Sequence, residues 1–173
     1  MKNQAFTLIE VLVVVLIIGI LAAIAVPQYQ VAVGKSRLAT IKDLTNSIAQ
    51  AQELFYLSNG RYSESLENLD MSFPAGGTFN ANKNVITYSW GYCSIEDRSN
   101  SGCLINFSNT WIYYVVYHKY VTSQYKIYIE GKTFCQTSKN TIGMKICKSD
   151  TGATSTAPGW PSENDTAYPT YLY

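Results

Sequence analysis

The stretch AFTLIEVLVVVLIIGILAAIAVPQYQ, residues 5–30, decides the architecture of this chain. Between Phe6 and Val26 every side chain except Thr7 and Glu10 is apolar or glycine. An α-helix of about 21 residues rises about 30 Å, the thickness of bilayer hydrocarbon, so the run reads as a membrane-spanning segment. A cleaved secretory signal has a shorter apolar core, roughly 7 to 15 residues, and Ala22, Ala23 and Ala25 only loosely mimic its cleavage site. Charge leaves the orientation open, because Lys2 flanks one end while Lys35 and Arg37 follow the other. Glu10 is the anomaly: carboxylates inside a membrane are expensive and usually functional. Either it rises to the headgroups or bonds within its own chain one turn back, or it awaits a partner on another molecule.

Beyond Val26 the helical pattern continues. Pro27 lacks an N–H and crowds the preceding turn, so a kink is expected there. Leu38, Ile41, Leu44, Ile48, Ala51 and Phe55 then recur at spacings of three and four, which places them on one face. Asp43, Asn46, Ser47, Gln50 and Glu53 fall largely on the other, and Ser58-Asn59-Gly60 supplies a left-handed stop. The expectation is one helix of about 50 residues, apolar all round over 6–26 and amphipathic over 27–58. Residues 59–173 form the head. RYSESLENLDM suggests a short helical turn begun by Ser63 beneath Leu66 and Leu69, and PAGGTFNANKN reads as a loop. NVITYSWGYC, TWIYYVVYHKYV and QYKIYIEG read as strands, the last two joined in a hairpin around Thr122 and Ser123. Three or four antiparallel strands against the amphipathic half-helix give a two-layer α+β fold. The tail from Ser149 to Tyr173, rich in Thr, Ser, Pro and Gly, reads as a surface loop.

Composition excludes several functions. The chain has 173 residues, a hydrophobic fraction of 47% and a formal net charge of +1, with Lys and Arg scattered, so it shows no strong nucleic-acid signal. No G-x-S-x-G, H-E-x-x-H or G-x-x-x-x-G-K sequence occurs, and no cofactor or catalytic constellation is expected. His118, the single histidine, reads as a packed strand residue rather than a base or ligand. The 14 tyrosines fall mainly in or beside strands, where Tyr is a good β residue. Cys93, Cys103, Cys135 and Cys147 all follow the apolar run and include no C-x-x-C pair. Disulfides are favoured over a zinc site, and of three connectivities the neighbours in sequence, Cys93 with Cys103 and Cys135 with Cys147, are preferred.

The residues from Ala5 through Phe6, Thr7, Leu8, Ile9 and Glu10 to Pro27 resemble the N-terminal signature of type IV prepilins and the related pseudopilins of type II secretion. The likeness covers about Met1 to Arg37, and FYLSNGRYSESLENL is similar to the segment leaving the stem helix in many members. The family usually has Gly where this chain has Ala5. The resemblance implies a leader over 1–5, cleavage between Ala5 and Phe6 by a prepilin peptidase, and methylation of the Phe6 amine. It implies an inner-membrane precursor with its head outside the cytoplasm, drawn by an assembly platform into an extracellular pilus or periplasmic pseudopilus. Phe6, Glu10 and Pro27 are then assembly residues, with Glu10 meeting the amine of a neighbouring copy. The function implied is a structural filament subunit and no enzyme. The alternatives are a minor pilin or pseudopilin, a pilin of DNA uptake, or a membrane-anchored periplasmic binding module or enzyme with an uncleaved span.

Overall fold

A computed structural model describes residues 7–96, 99–107, 109–120, 130–156 and 168–173. Helix α1, Leu8–Asn59, runs unbroken through Pro27 and closes at Gly60, whose φ of 67° is the left-handed conformation and whose N–H bonds the Tyr56 carbonyl. Its two halves have opposite surroundings. Leu12, Leu16, Ile20 and Ile24 are all more than half exposed, whereas Leu38, Ile41 and Ile48 are buried. Leu44, Ala51 and Phe55 pack against the same core from its margin. The buried stripe is broader than the apolar spacing suggests, because Gly34, Thr45, Ala49 and Gln52 share it.

Gln52 explains how the chain turns back. It is fully buried, its Nε2 donates to the Ser63 carbonyl at 3.0 Å, and its Oε1 accepts from the Ser63 N–H at 2.8 Å. A single amide side chain thus replaces a strand partner and leaves none of these polar groups unpaired. The short helical turn that follows is a 3-10 turn, Leu66–Asn68, and Ser65 caps it through its Oγ and the Glu67 N–H. The expected cap, Ser63, instead braces the entry by exchanging hydrogen bonds with Ser65.

The head sheet holds seven strands among the described residues, not three or four, arranged β1 to β7 in chain order and antiparallel throughout. They are β1 Thr78–Phe79, β2 Val85–Tyr88, β3 Gly91–Glu96, β4 Asn100–Phe107, β5 Thr110–Tyr117, β6 Thr133–Thr137 and β7 Thr170–Leu172. A second helix, α2 Thr141–Thr151, lies between β6 and β7 in sequence. The PAGGTFNANKN segment therefore contains β1. The expected tail loop begins as the last turn of α2 and ends as β7, with Tyr171 buried. Most of the QYKIYIEG strand and its turn at Thr122 and Ser123 lie outside the described residues; the described neighbours of β5 are β4 and β6.

α1 lies across β4 and β5, and α2 packs beside it. One rung of the sheet makes the floor of this contact: Phe79, Ile86, Cys93, Cys103, Tyr114, Cys135 and Tyr171 are register partners in succession from β1 to β7. Six of the seven are buried in the core under the stem, and Phe79 packs at its edge. Gly34 lets the layers approach, since a methyl group there would collide with Ile146 of α2 and Phe107 of β4. On the reverse face, Val115, Tyr117 and Phe134 form a separate small cluster.

Candidate functional site: the stem terminus and its junction with the head

The first described turn of the stem is a capping box. Thr7 is extended at φ −76° and ψ 149°, and its Oγ1 accepts from the Glu10 N–H at 3.4 Å. The Glu10 carboxylate in turn accepts from the Thr7 N–H at 2.8 Å and from the Thr7 hydroxyl at 2.7 Å. Two orphan donors of the helix start are thereby satisfied within one chain. Among the described residues, Thr7 is the intrachain partner of Glu10. The T-x-x-E spacing at positions 7 and 10 is the sequence signal that would have identified it. Ala5 and Phe6 lie outside the described residues. Pro27 is an exposed residue of α1, where it removes one i to i−4 hydrogen bond.

Above this terminus the stem presents a full apolar cylinder. From Leu8 to Val26 the large side chains are exposed on every side, and the helix is long and apolar enough to cross a membrane. A helix that is hydrophobic all round needs lipid or other helices about it. The arrangement can pack against like surfaces.

The four cysteines make two bridges. Cys93 is joined to Cys103 across the β3–β4 pair, and Cys135 of β6 is joined to Cys147 of α2. All four are buried. Three of them stand on the rung beneath the stem, so the bridges fix the sheet and α2 where both meet α1.

His118 follows β5 and is packed at the far end of the stem. Its ring stacks on Tyr62 at 4.3 Å, Tyr62 lies 4.7 Å from Tyr56, and Tyr56 stacks on Tyr120. The imidazole Nε2 lies 3.3 Å from the Ser101 hydroxyl, and Nδ1 is 3.9 Å from Glu53 without a hydrogen bond. Glu53 instead accepts from the Tyr62 hydroxyl at 2.9 Å. Burial pulls the His118 pKa down from 6.5 to about 4, opposed only in part by a backbone contact at Asn100. The neutral ring is therefore the folded form. Its stabilising contribution is complete above pH 6.5 and is lost as pH falls toward 4, on the order of 3 kcal/mol over that interval. Urea midpoints measured across this range should fall more steeply for the parent chain than for His118→Gln. Parallel profiles would show that the ring is not held neutral.

Comparisons with known proteins point to one kind of molecule. Residues 1–26 match the prokaryotic N-terminal methylation motif. A type IV major pilin of Myxococcus xanthus is 29% identical over 99 residues, covering 57% of this chain and 44% of that one. A type IV major fimbrial protein of Dichelobacter nodosus is 43% identical over 62 residues, 36% of this chain and 39% of its own. The type II secretion system core protein G of Pseudomonas aeruginosa is 36% identical over 69 residues, 40% and 49% respectively. The chain thus spans less than half the length of each of these relatives. No solved structure matches it. The chain carries a prepilin-type methylation signature on a pilin-like α+β fold, and its relatives are type IV pilins and a type II secretion pseudopilin.

Proposed function

We infer that this chain is the structural subunit of a type IV pilus-like filament, assembled through its stem. The observation that carries the reading is the abrupt change along α1: one continuous helix is exposed and almost wholly apolar to Val26, then buried on one face against a disulfide-braced sheet from Gly34 onward. In lipid, apolar surface gains little by leaving one apolar neighbour for another, so association rests on side-chain packing and polar contacts between helices. Each such contact joins different patches on successive copies and does not close, which yields a filament. The precursor waits in the inner membrane with its head outside the cytoplasm. A prepilin peptidase removes residues 1–5, the Phe6 amine is methylated, and an assembly platform draws the subunit into the fibre.

Glu10 is the specific contact in this scheme. In the single chain its carboxylate is occupied by Thr7; in the filament it faces the amine of a neighbouring Phe6. The likeness to core protein G over the stem keeps the pseudopilus as the second reading, since the same stem chemistry serves either filament. Four cysteines and a seven-stranded head favour the pilus.

Processing tests the reading directly. Replacing Ala5 by Leu introduces a bulky side chain next to the scissile bond and is expected to leave full-length precursor in the membrane, with fewer than about one filament in ten remaining. Intact mass of the membrane-held protein checks this. Normal mature mass in Ala5→Leu would remove the cleavage assignment, and a parent chain that retains Lys2 would favour an uncleaved anchored module.

A further inference from the structure

The stem meets the head at a groove that the filament reading leaves unused. It is an open cavity of about 220 Å³ lined by Tyr29, Gln30, Val33 and Arg37 of α1 and by Phe107 at the end of β4. Gly34 makes it possible, because any side chain at that position would displace Phe107 from the stem. A glycine within a helix is destabilising relative to Ala, and here it admits the aromatic wall. The Arg37 guanidinium carbon lies 5.9 Å from the centre of the Phe107 ring. Arg37 and Lys35 are exposed and form no ion pair among the described residues, whereas Lys42 and Lys83 are each held by a carboxylate at 2.9 Å.

Depth along the helix says what should fill this groove. If Glu10 marks the inner boundary, about 20 residues at 1.5 Å each carry the helix across roughly 30 Å of hydrocarbon to Gln30. Tyr29, which is 71% exposed, then stands at the outer boundary, where amphipathic aromatic rings prefer to lie. The next two turns, with Val33 and Arg37, rise through the headgroup layer. Side chains on a helix slope toward its N-terminus, so Arg37 reaches down toward the membrane. A guanidinium with no ion-pair partner among the described residues, beside an aromatic ring at phosphate depth, matches the planar fork that binds phosphate oxygens in pairs.

We propose that this groove is a binding site for the phosphate headgroup of an anionic outer-leaflet phospholipid, anchored by Arg37 and walled by Tyr29 and Phe107. The lipid fixes the depth and rotation of the subunit before it is extracted. The inference rests on the membrane-held precursor proposed above, and the test separates the two.

Full-length protein is placed in nanodiscs of mixed phosphatidylglycerol and phosphatidylcholine, released gently, and weighed by native mass spectrometry. The parent should retain one phosphatidylglycerol. Arg37→Gln should reduce retention about fivefold, the worth of one cation near an anionic surface. Arg37→Lys should fall nearly as far because it loses the fork, and Phe107→Ala should also fall. Lys35→Gln removes the same charge from outside the groove and should change little. Inorganic phosphate should not compete. Circular dichroism confirms that each variant is folded, and carbonate-resistant incorporation into vesicles reads insertion separately. Equal losses for Lys35→Gln and Arg37→Gln would reduce the site to diffuse surface charge and overturn it. So would displacement by free phosphate, or retention of a second copy in place of lipid. A parent chain that fails to insert would overturn the precursor reading itself, while normal insertion without retained lipid overturns the groove alone.

Discussion

Glu10→Ala is expected to accumulate as processed, membrane-held subunit and to cut sheared filaments by roughly a hundredfold, because removing one partner of a desolvated ion pair strands the other charge. The capping box sharpens this expectation, since it gives the carboxylate a second task. Glu10→Gln keeps the side-chain shape and can still accept from the Thr7 N–H, as Gln does in capping boxes generally, but it cannot offset an ammonium. Thr7→Ala makes the converse change: the intrachain hydroxyl contact is lost while the carboxylate stays. If the inter-subunit charge decides assembly, Gln gives few or no filaments and Thr7→Ala assembles. If capping decides it, Gln assembles and Thr7→Ala fails. Filaments per cell, normalised to membrane-held subunit, distinguish these outcomes. Normal fibres from Glu10→Ala, with no other source of the glutamate present, would defeat the inter-subunit role altogether.

Loss of the Cys135–Cys147 bridge has the next largest expected effect. Closing a loop of this length contributes about 3 kcal/mol in the chain-entropy picture, and the bridge is the one side-chain covalent link between α2 and the sheet. Once it is cut, α2 is retained by the packing of Ile146 near Gly34 and by the Lys42–Asp150 pair at 2.9 Å, which is partly solvent-exposed and weak. Cys135→Ala combined with Cys147→Ala should therefore lower global stability by about 3 kcal/mol. It should also raise hydrogen exchange throughout Thr141–Thr151 before the sheet is affected. The Cys93→Ala and Cys103→Ala pair costs a similar amount on loop length, but its two positions are already direct partners in the β3–β4 ladder. Its exchange signature should be spread over the sheet. Unchanged protection of α2 in the first double variant would show that the helix is held by packing alone.

The stem was legible because its signal is long and redundant: an unbroken apolar run, then a three-and-four spacing, then Asn-Gly. The head was less so, and the reasons are local. β4 begins Asn-Ser-Gly, which reads as a turn; Gly102 is there because the Tyr113 ring of β5 covers it. β6 and β7 are short and flanked by polar residues, and what makes them strands is their pairing with each other and with β5, a long-range fact. α2 left readable marks in the Asn140 cap, the Ile142 and Ile146 spacing and the Gly152 stop. Its interior Gly143 obscured them, and that glycine is needed because the helix backs onto Thr137 and Thr110. At the site, Glu10 is legible as an anomaly, and its bond to Thr7 is written in the T-x-x-E spacing.

The strand order of the head bears on how its sulfur chemistry begins. Among the described residues every strand pairs with its neighbour in sequence, and both bridges join cysteines that are consecutive along the chain. In the topology proposed above, with the head outside the cytoplasm, a chain exported from its anchored end exposes Cys93 and Cys103 before Cys135 and Cys147 emerge. An oxidase that couples thiols in their order of arrival therefore forms the native pairs at the first attempt. Of the three ways to pair four cysteines, the other two require an early thiol to wait for a late one. Maturation of this head should then depend on a dithiol oxidant and proceed without a disulfide isomerase.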